Sequence, residues 1–137
     1  MKRIIQITAF ISIIFIISCE KNEQQIALNA NEDLSFNGAF KMANSENLSG
    51  TVILNISNRH YICSTNFPYG YGAGKLEINE KTINFIDTLF FAIPAMYGSS
   101  YVLSGEHYYI FDGKNLKIWR DYNIGNIEYD LDLITTD

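Results

Sequence analysis

From Phe36 onward, apolar and polar residues alternate in short runs, a two-residue period that fits β-strands with one buried and one wet face and does not fit an amphipathic helix. Val52, Leu54 and Ile56 share one side of the run 51–57, Leu76 and Ile78 one side of 74–78, and Ile83 and Phe85 one side of 82–87. Leu116 and Ile118 do the same in 115–120, and Ile127, Tyr129, Leu131 and Leu133 alternate with Glu128, Asp130 and Asp132. Turn formers punctuate the runs at Ser57-Asn58-Arg59, Asn79-Glu80-Lys81 and Asp112-Gly113-Lys114-Asn115, with Gly113 suited to a positive φ. Links this short join neighbours that pair antiparallel, so the pattern predicts an up-and-down meander of eight or nine strands. A small sheet loses its exposed edges by closing on itself. The expectation is an all-β fold, a small antiparallel meander barrel of about eight strands within 34–137, with a two-sheet β-sandwich as the alternative. The stretch Leu89–Tyr97 reads either as a strand broken by Pro94 or as one helical turn.

The N-terminus follows a different grammar. Lys2 and Arg3 precede an apolar run from Ile4 to Ile17, interrupted only by Gln6, Thr8 and Ser12, and Ser18-Cys19 follow directly. The run is shorter than the roughly 20 apolar residues of a bilayer-crossing helix. A charged head, an apolar middle and a small-residue end have the form of a secretory signal. Ile16-Ile17-Ser18-Cys19 resembles the lipobox of bacterial lipoproteins. That resemblance implies cleavage between Ser18 and Cys19, a diacylglycerol thioether on Cys19 and an acylated amine. More than one acyl chain anchors stably where a single chain is marginal. The chain then divides into a signal over 1–18, a polar tether over 19–33 and a barrel domain over 34–137. Glu20 stands where, by the same resemblance, an aspartate would favour inner-membrane retention, so the expected address is the outer membrane or the cell surface.

Removing the first 18 of 137 residues leaves 119, enough for one domain with a substantial core. Eight basic residues then face 15 acidic ones, a net charge of −7. An acidic chain without a Lys/Arg cluster is a poor partner for nucleic acid or anionic headgroups, so membrane contact must come from the lipid. With Cys19 acylated, Cys63 has no disulfide partner, and its setting in Tyr61-Ile62-Cys63 predicts a small buried hydrophobe. Packing alone must hold the fold, and the 17 aromatics beyond the signal supply it.

A second resemblance rests on Gly72-Ala73-Gly74-Lys75-Leu76-Glu77-Ile78, Ile83-Asn84-Phe85, Leu103-Ser104-Gly105-Glu106-His107-Tyr108-Tyr109 and Asp112-Gly113-Lys114-Asn115-Leu116-Lys117-Ile118. These are similar to small bacterial lipocalin-like and META-type lipoprotein domains, with a Gly before a strand, an Ile-x-Phe strand and a closing Asp-Gly-x-x-Leu hairpin. Asn66-Phe67-Pro68-Tyr69 stands where META domains carry an Asn-rich loop. The likeness spans about half of the mature chain and implies the barrel, not an activity.

Few side chains offer chemistry. Phe67, Tyr69 and Tyr71 sit in the Gly-rich stretch 67–74, where they either line a barrel mouth and stack on a sugar or other flat ligand, or fold back and plug it. His60 and His107 have no Cys or carboxylate at ligand spacing and are expected to be surface or half-buried histidines, with Glu106 on the face opposite His107. Glu128, Asp130 and Asp132 line one strand face; aligned carboxylates suit calcium, but a solvated outer face opposite Lys117 and Arg120 is the plainer expectation. Ser99 and Ser100 lack a Gly-x-Ser-x-Gly setting, and no phosphate loop or dinucleotide fingerprint is present. The sequence thus points to no catalytic residue, metal or cofactor. It predicts a membrane-anchored envelope lipoprotein that binds a small ligand or an envelope protein. The alternatives are an inhibitor of an envelope-directed enzyme and a small hydrolase or isomerase working at the barrel mouth.

Overall fold

A computed structural model describes residues 25–42, 45–67, 70–88, 103–120 and 127–135. Eight strands run in order: β1 (Leu34–Met42), β2 (Ser45–Ser57), β3 (His60–Thr65), β4 (Tyr71–Ile78), β5 (Thr82–Asp87), β6 (Gly105–Phe111), β7 (Asn115–Arg120) and β8 (Ile127–Leu133). Each pairs antiparallel with the next, and β8 returns to β1 to close a barrel. The meander barrel is therefore the fold, and the sandwich is not. The signal with Ser18 and Cys19, and the ambiguous Leu89–Tyr97, lie outside the described residues.

Alternation sets the faces as expected. Val52, Leu54 and Ile56 point inward from β2 while Ile53 and Asn55 point out, and Leu116 and Ile118 do the same from β7 against Lys117. Eight strands enclose a space just wide enough for side chains to fill. The β2–β3 link is a two-residue turn with both φ angles positive, 45° at Asn58 and 61° at Arg59. Arginine is uncommon there. Its backbone is clamped on both sides, its N–H donating to Ala30 O at 2.7 Å and its carbonyl accepting from Leu76 N–H at 2.8 Å. In the β6–β7 turn, Asp112 Oδ1 accepts the N–H groups of Asn115 at 2.7 Å and Lys114 at 2.8 Å while Gly113 takes φ 96°. Those two bonds hold the Asp112 carboxyl below its ordinary pKa.

Residues 25–33, polar in composition and read as the end of a tether, are packed. Ile26 N–H donates to Phe111 O at 2.7 Å, and Gln25 Nε2 donates to Glu80 O at 2.7 Å. Leu28, only 5% exposed, joins the core. This strap crosses the barrel end that carries the β2–β3, β4–β5 and β6–β7 turns. Part of the stretch expected as tether therefore packs on the barrel.

Closure depends on one close approach. Gly38 on β1 pairs with Leu131 on β8, and a Cβ at position 38 would land on the Asp130 carbonyl oxygen, with Leu131 Cα 2.8 Å away. The obstacle is backbone, which cannot rotate aside as a side chain does. Gly38→Ala should therefore destabilise the barrel by about 2 kcal/mol or more, whereas Ala39→Ser, next to it on the exposed face, should stay within about 0.5 kcal/mol. Urea midpoints of the two variants check this, and equal midpoints would refute the seam constraint.

Candidate functional site

The interior is the first place to look for a ligand, and it is occupied by rings. Tyr61 meets Phe85 at 5.0 Å and 79°, Phe85 meets His107 at 5.5 Å and 87°, and His107 meets Tyr129 at 6.4 Å and 75°. Tyr129 then meets Phe40 at 5.8 Å, and Phe40 meets Phe67 at 5.4 Å. Most of these are edge-to-face or tilted contacts, the arrangement that ring quadrupoles favour.

The polar rings in this row are held by specific partners. Tyr61, Gly74 and Asp87 fall on one register line across β3, β4 and β5. With no side chain on Gly74 between them, the Tyr61 hydroxyl reaches Asp87 and donates to its Oδ1; Leu103 O lies 3.2 Å away as a second acceptor. Burial, then the bond to Asp87 and its charge, raise the Tyr61 pKa. Burial likewise raises Tyr129 and pushes the Cys63 thiol up to about 12, so Cys63 stays protonated and is the small buried hydrophobe expected from its strand.

His107 departs from its expected place. His60 is exposed, but His107 is 1% exposed and sits in the middle of the ring row. Its Nδ1 lies 3.0 Å from Gly105 O and so carries the proton, while Nε2 is buried without a hydrogen-bond partner. Burial lowers its pKa to about 4, and the Arg120 cation adds to that effect. Arg120 also departs from expectation: it is half-buried, and its Nη1 donates to Ser104 O at 2.6 Å. The clue was available in the alternation of Gly105, His107, Tyr109 and Phe111, which puts His107 on the core face.

Of the three loop aromatics, the two described, Phe67 and Tyr71, take different faces. Phe67 is half-buried and packs on Phe40, the plugging arrangement, whereas Tyr71 is 54% exposed on the outer face of β4. Tyr69 lies outside the described residues. Glu128, Asp130 and Asp132 do line one exposed face of β8. Among the described residues no group of three or more His, Cys, Asp or Glu is placed to hold a metal ion.

That face carries the feature the sequence did not disclose, an open groove of about 620 Å³ across β1, β8 and β7. Register places Lys41, Glu128, Trp119 and Tyr108 in one row and Ala39, Asp130 and Lys117 in the next. Phe40, Tyr129 and Ile118 point inward, so they offer the groove only their backbone as a floor. Ala39 carries a single methyl among long neighbours, which makes the depression. Trp119 and Tyr108 stack at 5.9 Å and 27° along its edge. Lys41 Nζ lies 3.0 Å from Glu128 Oε2, and Asn115 Nδ2 donates to Asp130 Oδ1 at 2.7 Å and Asp132 Oδ1 at 3.3 Å. A pair as exposed as Lys41 and Glu128 adds little stability, but it sets a cation against the Glu128 charge.

Comparison with known proteins gives no match, whether to a family model, a curated protein or a solved structure.

The buried histidine sets a pH dependence. An unfolded histidine takes its proton near 6.5, the folded one only near 4, so the unfolded chain binds more protons between these values and stability falls as pH drops through that window. The full loss is about 3 kcal/mol at 1.36 kcal/mol per pKa unit. Urea unfolding across the window should show a flatter pH slope for His107→Phe than for the parent chain; identical slopes would count against this assignment.

Proposed function

We propose that this chain is a lipid-anchored cell-envelope protein whose barrel is an interaction module working through its outer surface. The observation that carries the reading is the row of rings from Tyr61 to Phe67, which takes up interior space that a ligand carrier of this strand number would leave open. Chemistry inside the barrel is also restrained: Cys63 is held as the thiol, and the protonated His107 Nδ1 is engaged with Gly105 O. The loop aromatics support the plug over the mouth, since Phe67 turns in to Phe40 while Tyr71 turns out.

The strap adds an orientation. Five residues, and so six backbone steps, separate Cys19 from Gln25, which is bonded to the turn at Glu80. Fully extended, six such steps reach about 20 Å. An acylated Cys19 therefore holds the turn-bearing end of the barrel close to the lipid and points the opposite end, with the β3–β4 and β5–β6 connections, away from it. The net charge of the mature chain gives an anionic membrane no hold of its own, so attachment rests on the lipid alone.

Intact-mass measurement of the protein from bacterial membranes should show a chain starting at Cys19 with added acyl mass, and Cys19→Ala should move it from the membrane to the soluble fraction. An N-terminus still beginning at Met1 in the membrane fraction, or a Cys19→Ala protein that stays there, would falsify the anchor.

A further inference from the structure

We infer that the groove over β1, β8 and β7 binds an uncharged carbohydrate chain, with Trp119 as the stacking surface and Lys41, Glu128, Asp130, Lys117 and Ser49 as hydrogen-bonding groups. The inference rests on the proposed role as an outer-surface interaction module and names the class of ligand that surface takes.

Three properties of the groove select this class. The first is an aromatic edge beside a polar bed. Trp119 is half-buried and braced by Tyr108, which is 49% exposed, so the indole is held in place rather than free to turn. Sugar rings present C–H bonds on their faces and hydroxyls at their rims, and the negative π face of an aromatic takes the first while polar side chains take the second. The second property is mixed hydrogen-bonding capacity. Lys41 and Lys117 only donate, ionised Glu128 and Asp130 only accept, and Ser49 does both, which suits hydroxyls that also do both. An apolar ligand would leave these groups unpaired, at a cost.

The third is charge compensation. Glu128 has Lys41 as its ion-pair partner, Asp130 and Asp132 share the Asn115 amide, and Lys117 stands opposite Asp130 in register. A cationic ligand would have to displace Lys41 from Glu128. An anionic one would meet three carboxylates on a chain of net negative charge. A neutral, hydroxyl-rich ligand meets neither obstacle. The volume of about 620 Å³ lies within the usual range of small-molecule sites. An open trough along the barrel side, rather than a closed pit, fits a segment of an extended chain.

Trp119 is the only tryptophan in the sequence, so its emission reports on this groove without labelling. The full chain in detergent is titrated with chitohexaose, cellohexaose and maltohexaose up to about 10 mM, a range that captures weak binding. At least one should give a saturable change in Trp119 emission. Ala39→Leu, an exposed strand position where a larger side chain fills the depression without entering the core, should weaken that response tenfold or more with an unchanged melting temperature. Tyr108→Ala, which removes the brace, should weaken it too. No change with any of the three oligosaccharides overturns the inference, as does a response that Ala39→Leu leaves intact. A response to spermidine that strong salt abolishes, with none to the sugars, shows a cation site instead and also overturns it. The outer-surface role stands or falls separately, on whether envelope material is retained by the immobilised protein at all: retention that Ala39→Leu does not reduce keeps that role and rejects this groove.

Discussion

The interior volume of an eight-stranded barrel is set by strand number and stagger, and this chain fills it with aromatic rings. Tyr61, Phe85, His107, Tyr129 and Phe40 come from β3, β5, β6, β8 and β1, so one row of contacts ties five strands together across the lumen. Ring pairs of this geometry contribute about 0.5–1.5 kcal/mol each beyond the area they bury. Filling by rings also imposes the polar geometry of the core. A phenol and an imidazole taken out of water need partners, and the Tyr61 hydroxyl finds Asp87 while His107 Nδ1 finds its own strand's carbonyl at Gly105. The raised Tyr61 and lowered His107 pKa values are one effect, burial, acting on an acid and on a base.

With the lumen committed to packing, differences between one part of the surface and another carry the specificity. The outer faces of β2, β3 and β4 show Ile53, Ile62 and Tyr71 to solvent, an apolar surface. The faces of β6, β7, β8 and β1 show a stacked Trp and Tyr followed by alternating acids and lysines. Both follow from the same alternation, since each inward residue has an outward neighbour whose identity the core does not constrain.

What the sequence disclosed and what it hid divide along the range of the interaction. Strand faces and turns were legible because they depend on residues two to four positions apart, as in Val52-Leu54-Ile56 or Asp112-Gly113. Leu28 was not, since a lone leucine in a polar run acquires meaning only from the barrel end it covers. Arg120 continues the inward series Leu116, Ile118, but its charge argued for the surface, and the bond to Ser104 O that accommodates it comes from a distant connection. The groove was least legible of all. It needs Ala39 and Lys41 beside Glu128 and Asp130, nearly the length of the domain away, and only the register of the closing strand pair supplies that.

That closing pair has a consequence for the order of events in the life of the molecule. A polypeptide emerges from the ribosome with β1 first and β8 last, so the two strands that must meet at Gly38 and Leu131 are the first and last to become available. Until then every partial meander keeps two open edges and half-covered rings, the form of chain most prone to pair with its neighbours. Long-range closure of this kind is slow to form. The stretch of backbone between β1 and β8 therefore behaves as a timer: the barrel has no native intermediate that is edge-free, and protection from aggregation arrives only with the final strand.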